Sequence, residues 1–257
     1  MSPHFVDCHS HVVPSGDDGA GSVEEGLALC RSAAEHGTAV LFATPHVWPY
    51  FTLSEDREAE IRTAFEGMRP GAGLELRLGF ELTPAEPLLA EDPKRYLLEG
   101  TDCVLMEVPF AGPADLLVAL AEHVEGAGLR PVIAHPERTE VVLADPSVAE
   151  ELAGRGWALQ INATSLLGRH GPEPEELGWS LLDRGLGKLV ASDGHRSTRP
   201  AHLDEAYTLA EKRLGVERAL PLFDGSVLGV TRSSTASRAA SRDDAVTRAR
   251  SDVPARG

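Results

Sequence analysis

The chain has 257 residues, 42% of them hydrophobic, and a formal net charge of −16; that is enough apolar material for one large α/β unit, and a charge that argues against a nucleic-acid or anionic-membrane binder. The acidity is uneven, because residues 231–257 carry six Arg against three Asp and the acidic excess therefore lies in residues 1–230. Three scattered cysteines, Cys8, Cys30 and Cys103, suit a reducing compartment, and with no leader segment and no apolar run near ~18 residues the expectation is a soluble, cytoplasmic protein without membrane insertion.

The first apolar run ends in Asp7-Cys8-His9-Ser10-His11, followed by Pro14 and Asp17-Asp18-Gly19. Ser22-Val23-Glu24-Glu25 reads as a capping box, and Val23, Leu27, Cys30 and Ala34 continue at helical spacing until Gly37. Thr38–Ala43 is a short strand that delivers Thr44-Pro45-His46. An aromatic loop, Trp48–Leu53, and a polar helix from Ser54 to Met68 come next. Leu74–Phe80 alternates as a strand with Glu81 at its end, and Asp102–Met106 is another, ending at Glu107. A helix over Pro113–Ala127 leads to the strand Leu129–Ala134, which stops at His135-Pro136-Glu137-Arg138. Helix Pro146–Ala153 precedes strand Trp157–Ile161 and Asn162; helix Pro174–Arg184 precedes strand Lys188–Ser192 and Asp193-Gly194-His195; a last helix covers Ala201–Leu214. Thr231–Gly257 has almost no large apolar residues, so the reading is one barrel domain over residues 1–230 and a disordered basic tail over 231–257.

Seven strand candidates separated mainly by helices imply a parallel sheet with crossover helices. Each stops at a residue able to do chemistry: His9 and His11, His46, Glu81, Glu107, His135, Asn162, Asp193 and His195. In βα-barrels the loops at the carboxyl ends of the strands build the active site, whereas an open doubly wound sheet concentrates it at one switch point. Recurrence on every strand favours a closed, barrel-like sheet. Five histidines with glutamates and aspartate exceed what one tetrahedral zinc needs. They suit two or three divalent ions bridged by carboxylates and held ~3.5–4 Å apart. The bland reading, loop histidines and strand-end glutamates paired with arginines, accounts poorly for the set as a whole. Asn162 and Thr164 fit either ligand orientation or loop capping, and His4, His36, His123 and His170 read as surface residues. No Arg stands six residues after any cysteine, so the Cys-x5-Arg loop of cysteine-dependent phosphatases is absent.

Asp7-x-His9-x-His11, Thr44-Pro45-His46, Ala134-His135-Pro136-Glu137-Arg138 and Ser192-Asp193-x-His195 resemble the motifs of the polymerase-and-histidinol-phosphatase (PHP) family. Pro14-x-x-Asp17-Asp18-Gly19-Ala20 and Arg199-Pro200-Ala201-His202 are similar to features of one branch, the bacterial manganese-dependent protein-tyrosine phosphatases of capsule and exopolysaccharide loci. The resemblance spans roughly residues 5–225. It implies a distorted (β/α)7, TIM-like barrel (the PHP fold) with a trinuclear site of divalent ions, three Mn2+, with Fe or Zn also compatible with mixed nitrogen and oxygen donors. The implied ligands are His9, His11, His46, Glu81, Glu107, His135, Asp193 and His195, with Glu81 as the bridging carboxylate. Arg138 and Arg199 match phosphate-holding positions, and Asp18 or His202 would give a proton to the leaving phenolate. The implied reaction is metal-activated hydroxide attacking phosphorus of a phosphotyrosine protein, a bacterial tyrosine kinase, with no nucleic acid involved and the oligomeric state left open. The alternatives are a histidinol-phosphate or other small phosphoester phosphatase of the same family, a metal-dependent amidohydrolase, or a non-catalytic metal-holding module that docks a kinase. Gly194 departs from the branch, which often has a larger residue there, and the loop Val47–Thr52 is unusually aromatic; it is read as stacking a substrate ring or capping the barrel mouth.

Overall fold

The computed structural model describes residues 4–110 and 113–230. The predicted tail over 231–257 lies outside the described residues. Strand β1 (Phe5–Asp7) leads through the His-x-His loop to helix α1 (Val23–Glu35). Ser22 caps α1, its Oγ accepting from Glu25 N–H at 3.2 Å, while Glu25 accepts from Gly21 N–H at 2.8 Å, one residue earlier than a strict capping box. There follow β2 (Thr38–Ala43), β3 (His46–Val47), α2 (Glu55–Met68), β4 (Glu75–Leu78) and β5 (Glu81–Leu82). Next come β6 (Cys103–Glu107), α3 (Asp115–Gly126), β7 (Arg130–Ala134), α4 (Glu140–Ala144) and α5 (Ser147–Gly154). The described chain closes with β8 (Ala158–Asn162), α6 (Ala163–Leu166), α7 (Pro172–Asp183), β9 (Gly187–Ala191), α8 (Asp204–Leu214) and α9 (Val216–Ala219).

All strand pairs are parallel, in two ladders, β1-β2-β4 and β3-β5-β6-β7-β8-β9. The division comes from a break at one level in two adjacent threads. Pro45, which has no N–H to give a ladder, interrupts β2/β3. Gly79-Phe80 interrupts the run expected as one strand over Leu74–Phe80, and a Cβ on Gly79 would stand 2.5 Å from Leu98 Cδ2. Hydrogen bonds from Gly79 N–H to Ala43 O (2.8 Å) and from Glu81 N–H to Pro45 O (3.2 Å) carry the pairing across the break. Seven threads therefore run side by side. The first and last meet through the parallel bridge Ser10–Gly194, with Asp193 N–H on His9 O at 2.9 Å. At the other end Val6 N–H turns instead to Phe223 O at 2.8 Å, so the ring joins at its carboxyl rim and is filled by the C-terminal segment at its base. The result is a distorted (β/α)7 barrel rather than one evenly closed sheet.

Strand alternation sorts the side chains into two layers. Leu41, Val104, Met106, Ile133, Ile161 and Val190 face the helices, packing with residues such as Leu29, Leu117 and Leu181. Val6, Val40, Phe42, Cys103, Leu105, Val132 and Leu189 form a separate apolar cluster inside the barrel, capped below by Leu228. Extending that alternation upward puts Glu107 after Leu105 and Asp193 after Ala191 on the interior side. The last long helix begins at Asp204 rather than Ala201, because the segment before it packs on the strand-end loop: a Cβ on Gly194 would lie 2.7 Å from Ala201 Cα. Glycine at position 194 is thus what allows that approach.

Candidate metal centre

Glu81 stands at the middle of the upper barrel, fully buried, with imidazoles around it. Its Oε2 lies 3.1 Å from His9 Nε2, 3.3 Å from His11 Nε2 and 3.0 Å from His46 Nδ1, and its Oε1 lies 3.0 Å from His135 Nε2. Asp193 Oδ1 is 3.5 Å from both His9 Nε2 and His11 Nε2 and 3.3 Å from His195 Nδ1. Asp18 Oδ1 reaches His46 Nε2 at 3.5 Å and His195 Nε2 at 3.3 Å from the more exposed rim. Three donor groups result, each drawn together within 4.8 Å: His9, Glu81 and His135; His9, His11 and Asp193; His11, Asp18, His46 and His195. Seven of the eight predicted metal ligands are in these groups, joined by Asp18.

The arrangement strains the backbone and leaves polar atoms unsatisfied. Among the described residues, only His135 (φ 34°) and Asp193 (φ 51°) are non-glycine residues in the left-handed region, a conformation that tertiary structure must enforce. Glu81 Oε2 and the Nδ1 atoms of His11, His46 and His135 are buried without a hydrogen-bond partner among the described residues. The imidazoles crowd Glu81 Oε2 without hydrogen-bond geometry, and Glu81 Oε2 and His46 Nδ1, 3.0 Å apart, both keep unspent lone pairs inside the cluster, while His11 and His135 face Glu81 with Nε2. Buried polar atoms are otherwise almost always paired. A donor set of neutral imidazoles and carboxylates with unspent lone pairs fits divalent ions.

Titration behaviour follows from this crowding. Burial draws the His9 and His11 pKa values down, but the carboxylates of Glu81, Asp193 and Asp17 outweigh it and hold both above the ordinary 6.5. Burial opposes ionisation of Glu81 and Asp193 as well, yet the surrounding histidines keep both well below the usual carboxylate range. His135 and His195 are pulled below 6.5, chiefly by burial. Glu107 differs. Burial and the neighbouring Glu81 push it up to about 8, and its carboxylate takes a short hydrogen bond from Thr83 Oγ1. It lies beside the three donor groups rather than inside one.

Of the predicted phosphate-holding arginines, Arg138 donates from Nη1 to Asp193 Oδ2 at 2.5 Å and lies over the Phe110 ring. Asp193 is thus its carboxylate partner. Arg199 sits in close contact with His195 Nδ1 and 3.6 Å from Asp193 Oδ1. His202 is not brought to the centre: its Nε2 meets Ser32 Oγ at 2.8 Å and its ring stacks on His36, because Pro200–Leu203 turns away toward α1. Among the predicted proton donors only Asp18 is at the cluster. Asn162 both orients and caps, giving Nδ2–H to Asp193 Oδ2 at 2.9 Å while Oδ1 accepts from Thr164 N–H at 3.1 Å.

Several contributors were not singled out by the strand-end rule. Gln160 Oε1 meets His9 Nδ1 at 3.0 Å, fixing that ring; an amide two residues before Asn162 in an otherwise apolar strand was the available signal. Asp17, rather than its neighbour Asp18, is the buried aspartate, accepting from His46 N–H at 3.0 Å and lying 3.6 Å from His11 Nδ1. Glu137 is fully buried under β8, accepting from Asn162 N–H at 3.0 Å and Ser165 Oγ–H at 2.7 Å. His170, expected on the surface, is half-buried against Thr164 Oγ1 at 2.7 Å, and burial with the nearby Arg138 and Arg199 charges lowers its pKa to about 4. It follows α6 instead of a strand, so position in the chain gave no hint. Cys8, Cys30 and Cys103 are buried free thiols whose burial raises their pKa values, to about 12 for Cys30 and about 11 for Cys103, which makes them inert.

The family described as "Capsular polysaccharide synthesis, CpsB/CapC" matches residues 5–225. The chain is 30% identical over 232 residues to tyrosine-protein phosphatase YwqE of Bacillus subtilis, covering 87% of this chain and 91% of that one. It is 28% identical over 241 residues to tyrosine-protein phosphatase CpsB of Streptococcus agalactiae, covering 85% and 95%. A solved structure from work on YwqE of B. subtilis and CpsB of Streptococcus pneumoniae, described as metal-dependent tyrosine phosphatases, superposes with a TM-score of 0.77 at 31% identity over 85% of this chain and 91% of that one. Among the described residues, no helix is long and apolar enough to cross a membrane.

Proposed function

The chain belongs to the CpsB/CapC family, and from that premise we propose that it is a metal-dependent protein-tyrosine phosphatase, acting in the cytoplasm on the phosphotyrosine of a bacterial tyrosine kinase tied to capsule or exopolysaccharide synthesis. The observation that carries the reading is the Glu81 carboxylate enclosed by four imidazoles with its Oε2 unsatisfied. The cofactor is a set of three divalent ions, manganese in the first instance. The residues that hold them are His9, His11, His46, Glu81, His135, Asp193 and His195, with Asp18 at the rim and Glu107 recruited from beside Glu81. Bound there, such ions supply Lewis acidity toward a phosphoryl oxygen and toward water.

The remaining roles fall to the protein. Arg138 gives one nitrogen to Asp193, and its planar fork has further N–H groups for phosphate oxygens. Arg199, beside His195, offers a second cationic group to the same anion. Asp18, about half-exposed and held below its ordinary pKa by its contact with His195, stands where a leaving phenolate meets solvent, and a proton passing to that oxygen is relayed there. The rim is aromatic. Trp48 stacks on His46 with centroids 4.4 Å apart, Tyr50 on Trp48 at 5.5 Å, and Phe110 on His135 at 5.6 Å. Flat apolar faces beside His46 and His135, two of the four imidazoles around Glu81, suit a phenyl ring better than an aliphatic leaving group.

The test is turnover of a phosphotyrosine peptide, p-nitrophenyl phosphate and histidinol phosphate after chelation and again after manganese is returned. Manganese-restored hydrolysis with preference for the aryl substrates is expected. No restored turnover on any of the three defeats the proposal, and a preference for histidinol phosphate reassigns the substrate.

A further inference from the structure

Away from this centre, a second set of donors converges where α1 ends and α8 begins. His36 is the C-terminal cap of α1, His202 lies just before α8, and Asp204 opens it; one ligand atom from each lies within 4.8 Å of the others. Ser32 determines what the rings present. Its carbonyl oxygen, 2.9 Å from His36 Nδ1, can only accept, so Nδ1 bears the hydrogen and Nε2 keeps its lone pair. Anchoring the far N–H of an imidazole on a backbone carbonyl is the usual support of a metal-binding histidine. His202 Nε2 is engaged by Ser32 Oγ at 2.8 Å, which leaves Nδ1 as the nitrogen it can offer. An independent observation points to a cation: Asp204 Oδ1 is buried with no hydrogen-bond partner among the described residues. A carboxylate oxygen withdrawn from water is costly unless charge or donors compensate it.

We propose that His36, His202 and Asp204 form a separate site for one divalent transition ion of the zinc class. Two imidazoles and a carboxylate, with a further position left to water, match that ion's preferences. The imidazole planes are now stacked, 3.6 Å between centroids and 18° apart. With His36 held on Ser32 O, rotation of His202 about its soft terminal torsion, at the expense of its Ser32 Oγ contact, turns its Nδ1 toward a common ion. Occupancy staples the end of α1 to the segment that carries Arg199, so it stiffens one wall of the neighbouring centre without entering it. The site is independent of the phosphatase reading, since no residue is shared with the Glu81 centre.

Manganese-loaded full-length protein, equilibrated with increasing zinc and analysed for both elements, tests this in the native sequence and in His36→Gln and Asp204→Asn. The native chain is expected to hold one more metal ion in total than either variant at the same free zinc. Before zinc is added, all three are expected to have the same manganese content and p-nitrophenyl phosphate turnover within about twofold. Zinc is also expected to raise the melting temperature of the native chain more than that of the variants, in line with an ion bound only by the folded state. Equal total metal in all three proteins overturns the proposal. So does manganese loss in either variant, which would make these residues part of the first centre.

Discussion

The lower and upper halves of the barrel interior are lined by the same strands with the same alternation, yet they solve opposite problems. Below, Val6, Val40, Phe42, Leu105, Val132 and Leu189 fill the space with carbon and are closed off by Leu228; every such side chain gains from leaving water, at roughly 25 cal/mol per Å² of apolar area. Above, Glu81, Asp193 and five histidines are just as deeply enclosed, with buried atoms that the described residues do not satisfy. Each orphaned buried polar group costs about 1–3 kcal/mol. The lower half is therefore complete as a protein structure, and the upper half is complete only with cations. Stability and chemistry are stacked along one axis, and perturbing each half should leave a different signature.

Glu81→Ala attacks the upper half at its centre. Manganese content should collapse and turnover should fall on the order of 10³-fold or more, comparable to or beyond loss of a key electrostatic donor, with the far-ultraviolet dichroism unchanged. Elemental analysis showing full manganese in this variant would break the contrast. Phe42→Ala attacks the lower half. Removing a fully buried aromatic side chain should cost ~3–5 kcal/mol in denaturant unfolding, while the manganese bound per folded chain stays at the native level. Metal loss in proportion to stability loss would mean that the halves are one unit.

A titration sharpens the same contrast. Asp7, Glu137 and Glu107 lie around the upper half, and burial pushes their carboxyls up to about 6, about 7 and about 8. A group whose folded pKa exceeds its unfolded value holds protons in the native state that the unfolded chain releases, so it stabilises at low pH and the benefit is lost as pH rises. Here the window runs from the ordinary 3.8–4.5 up to about 8. His9 and His11, held above 6.5, act in the same direction, whereas His135, His195 and His170, held below it, oppose the trend until pH passes their ordinary 6.5. In chelator, the melting temperature should fall by roughly 5 °C or more between about pH 6.5 and pH 8, where the depressed histidines no longer oppose it, given that ~1 kcal/mol moves a chain of this size by about 2–4 °C. Manganese should flatten that slope, because cations favour the deprotonated donors. A chelated protein that grows more stable over this range would contradict the assignment.

The barrel and most of the donors were legible because two simple regularities coincide in them. Apolar runs of strand length alternate with helical patterns, and nearly every run ends on His, Glu, Asp or Asn. What escaped lies where a residue's role is set by a neighbour distant in sequence. Asp17 and Asp18 are chemically identical in the chain, and only the fold turns one toward His46 N–H and leaves the other at the rim. His202 follows Arg199 closely, yet its segment bends to α1. The split of Leu74–Phe80 required knowing that Leu98 packs over Gly79, a contact no local pattern encodes.

The smallest effect comes from Arg57, which sits outside the donor set but fastens it. Its guanidinium is buried and donates from Nε to Ser15 O at 3.2 Å, from Nη1 to Phe51 O at 3.1 Å and from Nη2 to His46 O at 2.8 Å, while stacking on the Phe51 ring at 3.8 Å. Ser15 leads into Asp17, and His46 is a donor, so one side chain ties together two loops that supply the upper half. Arg57→Met keeps much of the aliphatic packing and removes these ties. We expect about a tenfold loss of kcat/KM with weakened manganese affinity, the scale typical of groups that orient metal ligands. Arg57→Lys should recover only part of it, because a single ammonium cannot reproduce the planar fork. If Arg57→Met lowers stability and leaves both metal affinity and turnover untouched, the residue behaves like Phe42. The boundary between the two halves would then run between Arg57 and His46.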